Sequence, residues 1–278
     1  PPKHLSQSST EAIAGIGFVL PVGIMKTADL CKMSLCGCDL LRVIPSARWD
    51  VEQAIQDISG FPPEVMGRVR NGAFLHSAEL FKHSCFNISW AEAVATDPQQ
   101  RQLLECGYTA LHASGMRRST LLGAVIAVNV GQWASEFSNI VMSSPTGRSV
   151  YATTGFSCSV TCGRVSFVLG LQGPCATYDT ACSSSLVANH GSLRALQRAE
   201  CTATLSAGVN MILDPVLMSG NAIAGYTSVR GRSHTFDARA DGYARGEAID
   251  AIACRLGDDI TSDQALGRAV RQDGRSAS

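Results

Sequence analysis

The sequence predicts an α/β fold built on a mainly parallel sheet. Three observations predict it. Apolar runs of strand length alternate with helix-period segments along the chain. One of those runs, residues 121–130, is strongly apolar, as a strand covered on both faces is, and residues 205–213 read as another buried strand. The 278 residues are 45% hydrophobic and 17% charged, enough for a sizeable core in one large or two ordinary domains.

Taken in order, residues 11–18 (EAIAGIGF) read as a first buried strand ending in glycines. Residues 42–50 (RVIPSARWD) read as a loop with a proline and an aromatic anchor, and residues 72–87 as loop with short helices. Asp97 is a good N-cap and Pro98 suits the first helical position. Leu103, Leu104, Gly107, Tyr108 and Leu111 then recur at helical spacing, and Gly115 is a natural stop. Residues 121–130 form the next strand, and a helix spans about residues 155–169. A strand then leads to Cys182, whose helix continues to about residue 199. Residues 205–213 and 248–255 are further strands, separated by a polar turn region at 228–237 and a loop at 242–247. No repeat, low-complexity block or flexible linker interrupts the pattern, and residues 261–278 begin a new segment.

Composition excludes some functions. Lys+Arg and Asp+Glu both number 23, a balance that points away from nucleic acid and anionic membranes and permits association with other proteins. Eleven cysteines with no regular framework read as reduced thiols in an intracellular protein, of the cytoplasm or a plastid. No apolar run is long enough for a transmembrane segment, and residues 1–10 are a polar stub without the apolar centre of a signal sequence.

The segment Tyr178-Asp179-Thr180-Ala181-Cys182-Ser183-Ser184-Ser185-Leu186 sets a cysteine where a strand gives way to a helix. Unpaired backbone N–H groups and the positive end of the helix dipole favour a thiolate there. The alternative is a buried structural cysteine, but three serines after Cys182 keep the thiol reachable. His190 lies eight residues on, about 12 Å along the helix, too far for a hydrogen bond, and reads as a core-facing structural histidine. With no local Cys–His dyad, a cysteine protease is disfavoured. Cys31, Cys36 and Cys38, and the pair Cys158 and Cys162, lack the C-x2-C spacing of a structural zinc site, so no metal is expected. Gly15, Gly17 and Gly23 miss the dinucleotide spacing and read as sites of close backbone packing. Asp237, Arg239, Asp241, Arg245 and Glu247 read as an ion-pair network holding a loop.

The segment Asp179-Thr180-Ala181-Cys182-Ser183-Ser184-Ser185-Leu186 also carries a family resemblance. Asp97-Pro98-Gln99-Gln100-Arg101, the run from Gly163 to Pro174 (GRVSFVLGLQGP), Thr235-Phe236-Asp237, the run from Asp241 to Glu247 (DGYARGE) and Gln272-Asp273-Gly274-Arg275-Ser276 support it. The chain resembles the N-terminal two thirds of the β-ketoacyl synthase (ketosynthase) domain of type I polyketide synthases and, less closely, of animal-type fatty acid synthases. Order and spacing agree from about residue 11 onward.

The resemblance implies a thiolase-like fold of layered αβαβα form, with the N-terminal half present and the C-terminal half begun. Residues 11–256 would be the nucleophile-bearing part, and residues 257–278 the truncated start of the second half. It implies a homodimer, or a subunit of a larger assembly, paired through the strand before the nucleophile. It implies no bound cofactor, and substrates carried on the phosphopantetheine of an acyl carrier protein. Cys182 would accept the acyl group, and its backbone N–H would form part of the oxyanion hole. A malonyl-type extender would then lose carbon dioxide and attack the thioester.

Departures qualify this. The family's H-G-T-G-T and K-x-N-x-G-H motifs, which carry its two histidines, are absent, and none of the six histidines here occupies either position. The 278 residues are therefore expected to accept an acyl group but not to complete condensation. Trp90 stands for a usual proline, Cys106-Gly107-Tyr108 for a Trp-containing stretch, and Arg230-Gly231-Arg232 for a Pro-Asp-Gly-Arg turn. The alternative is a ketosynthase-derived, non-catalytic interaction subunit whose uncovered surfaces a partner would cover.

Overall fold

The structure, a computed structural model, describes residues 10–257, 263–265, 267–272, 274 and 275. The stub expected at residues 1–10 lies outside them apart from Thr10, as does part of the segment after residue 257.

Eight strands form: β1 (Thr10–Val19), β2 (Arg42–Val43), β3 (Asn71–Gly72), β4 (Ile126–Gln132), β5 (Cys175–Tyr178), β6 (Ala203–Asn210), β7 (Ala248–Gly257) and β8 (Gln264–Ala265). Six make one sheet in the order β5-β4-β6-β7-β1-β8, while β2 and β3 form a separate ribbon. Every residue of β4 is buried, Asn129 and Gln132 included, and the strand starts at Ile126 rather than at 121, because a short helix ends at Leu121 and Gly123 turns the chain.

The sheet is mixed rather than mainly parallel. β4 runs parallel to β5 and β6, because a helical crossover precedes each partner. β7 runs antiparallel to β6, with Ala248 opposite Asn210. The connection between them returns the chain at the end where β6 finishes, so β7 must run back along it. β1 and β8 continue antiparallel on the far side.

Helices Pro98–Ala113 and Cys158–Leu169 cover one face. There Leu103, Leu104, Leu111 and Val165 pack with Val128, Val130, Leu205 and Ile249, each fully buried leucine contributing about 2 kcal/mol. Helix Ser184–Gln197 covers the other face, with Ala195 and Leu196 against Ala127 and Cys254. The first of these helices begins as expected: Asp97 caps it by accepting from the Gln99 amide at 2.8 Å. Gly15 and Gly17 let it lie against β1; a Cβ at Gly15 would stand 2.2 Å from the Ala110 carbonyl oxygen. Close packing is thus their role. Trp49 anchors its loop against a smaller cluster containing Ile44, Phe74 and Met218. Helices Thr27–Leu35, Val51–Asp57, Phe137–Met142 and Pro215–Ile223 were not expected from the sequence pattern.

Candidate active site

The turn between β5 and the Ser184–Gln197 helix is knitted by its own small polar side chains. Asp179 accepts from the Ala181 amide at 3.1 Å. Ser184 accepts from the Thr180 amide at 2.8 Å and donates to the Ala181 carbonyl at 2.7 Å. The Ser183 hydroxyl donates to the Thr180 carbonyl at 2.9 Å. Ala181 is forced to φ +53°, a left-handed conformation that an alanine rarely adopts and that these hydrogen bonds hold in place. The result leaves Cys182 exposed, two residues ahead of the helix and beside the positive end of its dipole. The serines therefore build the turn as well as keep the thiol reachable.

The helix start sits almost on the sheet. Tyr178, Gly131, Gly208 and Asp250 are successive partners across β5, β4, β6 and β7. At Gly131 a Cβ would lie 2.3 Å from the Ser185 nitrogen, and at Gly208 one would lie 2.7 Å from the Ser185 Cβ. Two glycines on adjacent strands give the turn its seat. Further along, Asn129 donates to Ser192 at 2.9 Å and accepts from the Tyr178 hydroxyl at 3.3 Å.

Cys182 opens into a cavity of about 670 Å³. Trp133, Asn221, Tyr226, Tyr243, Arg245 and Asp250 line it with Cys182, and among the described residues no histidine does. Arg245 is buried, 3.5 Å from Glu136 and with its guanidinium 5.6 Å from the centre of the Trp133 ring. Glu136 in turn accepts from the Leu213 and Asp214 amides at 2.7 and 2.8 Å. Burial raises the pKa of Glu136, and these hydrogen bonds and Arg245 oppose the rise.

The charged residues after position 236 hold loops, but not as one network. Asp237 pairs with Arg239 at the surface, 2.7 Å apart. Asp241 accepts from the Ser228 hydroxyl and the Val229 amide. Arg245 turns to Glu136, and Glu247 pairs with Arg48 at 2.7 Å. Each ties the chain to a different neighbour, because the loop threads between separate elements.

The Asp97-Pro98-Gln99-Gln100-Arg101 segment works as a polar clamp behind the cavity. Gln99 donates to the Ala134 carbonyl at 2.8 Å and accepts from the Met211 amide at 3.2 Å, tying the ends of β4 and β6 together. Gln100 accepts from Arg164 Nε at 2.6 Å. Asp97 also accepts from Ser135.

His190 is not in the sheet-facing core. Ala188 and Ser192 face the sheet, and His190, two residues from each, lies roughly 200° around the helix from either. It is half-buried near Arg194, Arg268 and Arg271; burial first, then those arginines, lower its pKa. Cys31, Cys36 and Cys38 are exposed. Among the described residues no group of three or more His, Cys, Asp or Glu could hold a metal ion. Nor is any helix among them long and apolar enough to cross a membrane.

Sequence reasoning missed Asp250, Trp133, Asn221 and Tyr226 as cavity residues. Asp250 alone left a trace: it is a charge inside the otherwise apolar run Ala248–Cys254. The aromatic residues left none.

Comparison with known proteins gives the family and the fold. Residues 11–253 match the family described as "Beta-ketoacyl synthase, N-terminal domain". The chain belongs to the β-ketoacyl synthase family. It is 34% identical to a mycocerosic acid synthase-like polyketide synthase of Mycolicibacterium smegmatis, over 95% of this chain and 13% of that protein. It is 35% identical to the pikromycin polyketide synthase component PikAII of Streptomyces venezuelae, over 95% of this chain and 7% of that protein. Among solved structures it resembles the ketosynthase from module 6 of the bacillaene synthase of Bacillus subtilis 168, with a TM-score of 0.78 and 28% identity over 88% of this chain and 40% of that one. The oxazolomycin ketosynthase domain OzmH KS7 of Streptomyces albus JA3453 gives a TM-score of 0.80 and 26% identity, over 88% of this chain and 42% of that one. The fold is thus thiolase-like, and the chain spans less than half the length of each of these relatives.

Proposed function

We propose that this chain is the nucleophile-bearing part of a polyketide-type ketosynthase and that Cys182 accepts the acyl group. One observation carries the reading: Cys182 is exposed on a tight turn at a helix start and opens into a cavity. The Cys182 thiolate attacks the carbonyl of an acyl thioester on the phosphopantetheine of an acyl carrier protein. The tetrahedral oxyanion collapses, the carbon–sulfur bond to phosphopantetheine breaks, and the departing thiolate takes a proton from solvent. The Cys182 backbone N–H contributes to the oxyanion hole. Residues 11–256 form this part, and residues 257–278 begin the second half of the domain.

Condensation would need a malonyl-type extender to lose carbon dioxide and its enolate to attack the Cys182 thioester. Among the described residues no histidine lines the cavity to stabilise that enolate, so these residues are expected to support loading without condensation. A second copy would pair along β5, whose outer edge is free in the described sheet. The alternative role, a non-catalytic interaction subunit, draws on the exposed Leu186 and Ile16.

The test is intact mass after incubation with an octanoyl-carrier thioester. The expected result is one octanoyl group on Cys182, absent in Cys182→Ala. An unmodified Cys182, under conditions that load a complete ketosynthase, would refute the reading and favour the alternative.

A further inference from the structure

β7 carries one charged side chain among the residues 248–254. Its neighbours Ile249, Ala251 and Ala253 are buried on the opposite face of the strand, while Asp250 is half-buried and faces the cavity. Asp250 is not paired. No described residue gives its carboxyl a hydrogen bond or an ion pair, and burial alone pushes its pKa up to about 6. Arg245 shares the cavity but is engaged by Glu136 and Trp133.

The direction of the carboxyl is clear from its neighbours. Its Oδ1 lies 2.8 Å from the point where a Cβ on Gly208 would stand, and Ser185 Cβ lies 2.7 Å from that same point. Asp250 therefore leans over a bare glycine, toward the helix start that holds Cys182, and it lines the same cavity as Cys182. An acyl chain on Cys182 would share that cavity with an acceptor that has no partner.

We infer that Asp250 is a specificity-determining residue: it accepts a hydrogen bond from a hydroxyl on the acyl chain, near its thioester end. The ligand class is a hydroxyacyl thioester. A neutral donor suits the cavity better than an ammonium group, because the Arg245 guanidinium already places a positive charge in the lining. This inference rests on the assignment of Cys182 as acyl acceptor.

The experiment is a competition. Equimolar 3-hydroxyoctanoyl and octanoyl pantetheine thioesters are offered to the protein, and the two adducts on Cys182 are quantified by mass. The wild-type chain is expected to favour the hydroxyacyl group roughly tenfold, the ratio for a hydrogen bond to a charged acceptor. Asp250→Leu should bring the ratio to about one, while Asp250→Asn, which keeps a carbonyl acceptor, should fall between. Octanoyl loading of the wild type without hydroxyacyl preference would overturn the inference and leave the acyl-acceptor assignment standing. An unchanged ratio in both variants would overturn it too. Failure of both thioesters to load would remove the assignment and the inference together.

Discussion

At Gly131 the chain has room for a hydrogen atom and nothing larger. A Cβ there would press on the Ser185 nitrogen at 2.3 Å, and backbone cannot rotate out of the way as a side chain can. Gly131→Ala is expected to lift the helix start, and Cys182 with it. The cost should be about 1–3 kcal/mol in urea unfolding, together with at least a tenfold slower acylation of Cys182 by mass kinetics. A wild-type rate at an unchanged urea midpoint would show that this contact does not fix the nucleophile. Glu247 offers a second case. It is buried and accepts from Arg48 at 2.7 Å, the Leu75 amide at 2.7 Å and the Ile212 amide at 2.9 Å. Glu247→Ala would strand a guanidinium and two amides, at about 3–5 kcal/mol; a loss below 1 kcal/mol in the same titration would contradict that account. Cys182 was legible in the sequence because its setting is local: a strand end, a turn and a helix start lie within nine residues. The place of Asp250 was not, because Gly208 and Ser185 reach it from distant parts of the chain.

Among the elements, the Pro98–Ala113 helix depends most visibly on its first residue. Asp97 holds the Gln99 amide and Ser135 together, so it caps the helix and pins the loop after β4. Asp97→Ala is expected to cost about 2 kcal/mol, near the upper end for a lost cap, and Asp97→Asn to recover much of it. Equal losses in the two variants, read from urea midpoints, would mean that the charge rather than the cap matters. Start signals of this kind made the helix readable. The same signal was present at Asp214 and Pro215, where Asp214 accepts from the Val216 amide at 2.7 Å, and the Pro215–Ile223 helix could have been found from it. The Thr27–Leu35 helix gave less warning, since Lys26 supplies no side-chain cap. Strand direction was out of reach for another reason. β7 is antiparallel to β6 because of where a long connection returns, which no local pattern records.

For the whole molecule, the buried carboxyls set the response to pH. Burial raises the pKa of Glu11, Asp97, Glu136, Glu247 and Asp250. A raised folded pKa means that the folded protein holds a proton which the unfolded chain has released, so stability falls as pH rises between the two values. For Asp250 that window runs from about 4, the unfolded value, to about 6, and its contribution is full below the window and lost above it. Asp250→Asn is expected to flatten the fall in urea stability from pH 4 to pH 7 by up to about 3 kcal/mol. Parallel curves for variant and wild type would show that Asp250 does not titrate there. A last consequence concerns the glycine seat of the turn. Because the helix start rests on bare main chain, the elevation of the backbone that carries Cys182 above the sheet is set by the thickness of a peptide unit rather than by a side chain beneath it. Changes among the leucines and valines of the opposite face can alter how firmly the sheet is backed without moving that datum. The walls of the cavity are then free to diverge, and with them the choice of acyl chain, while the backbone under the nucleophile keeps its station.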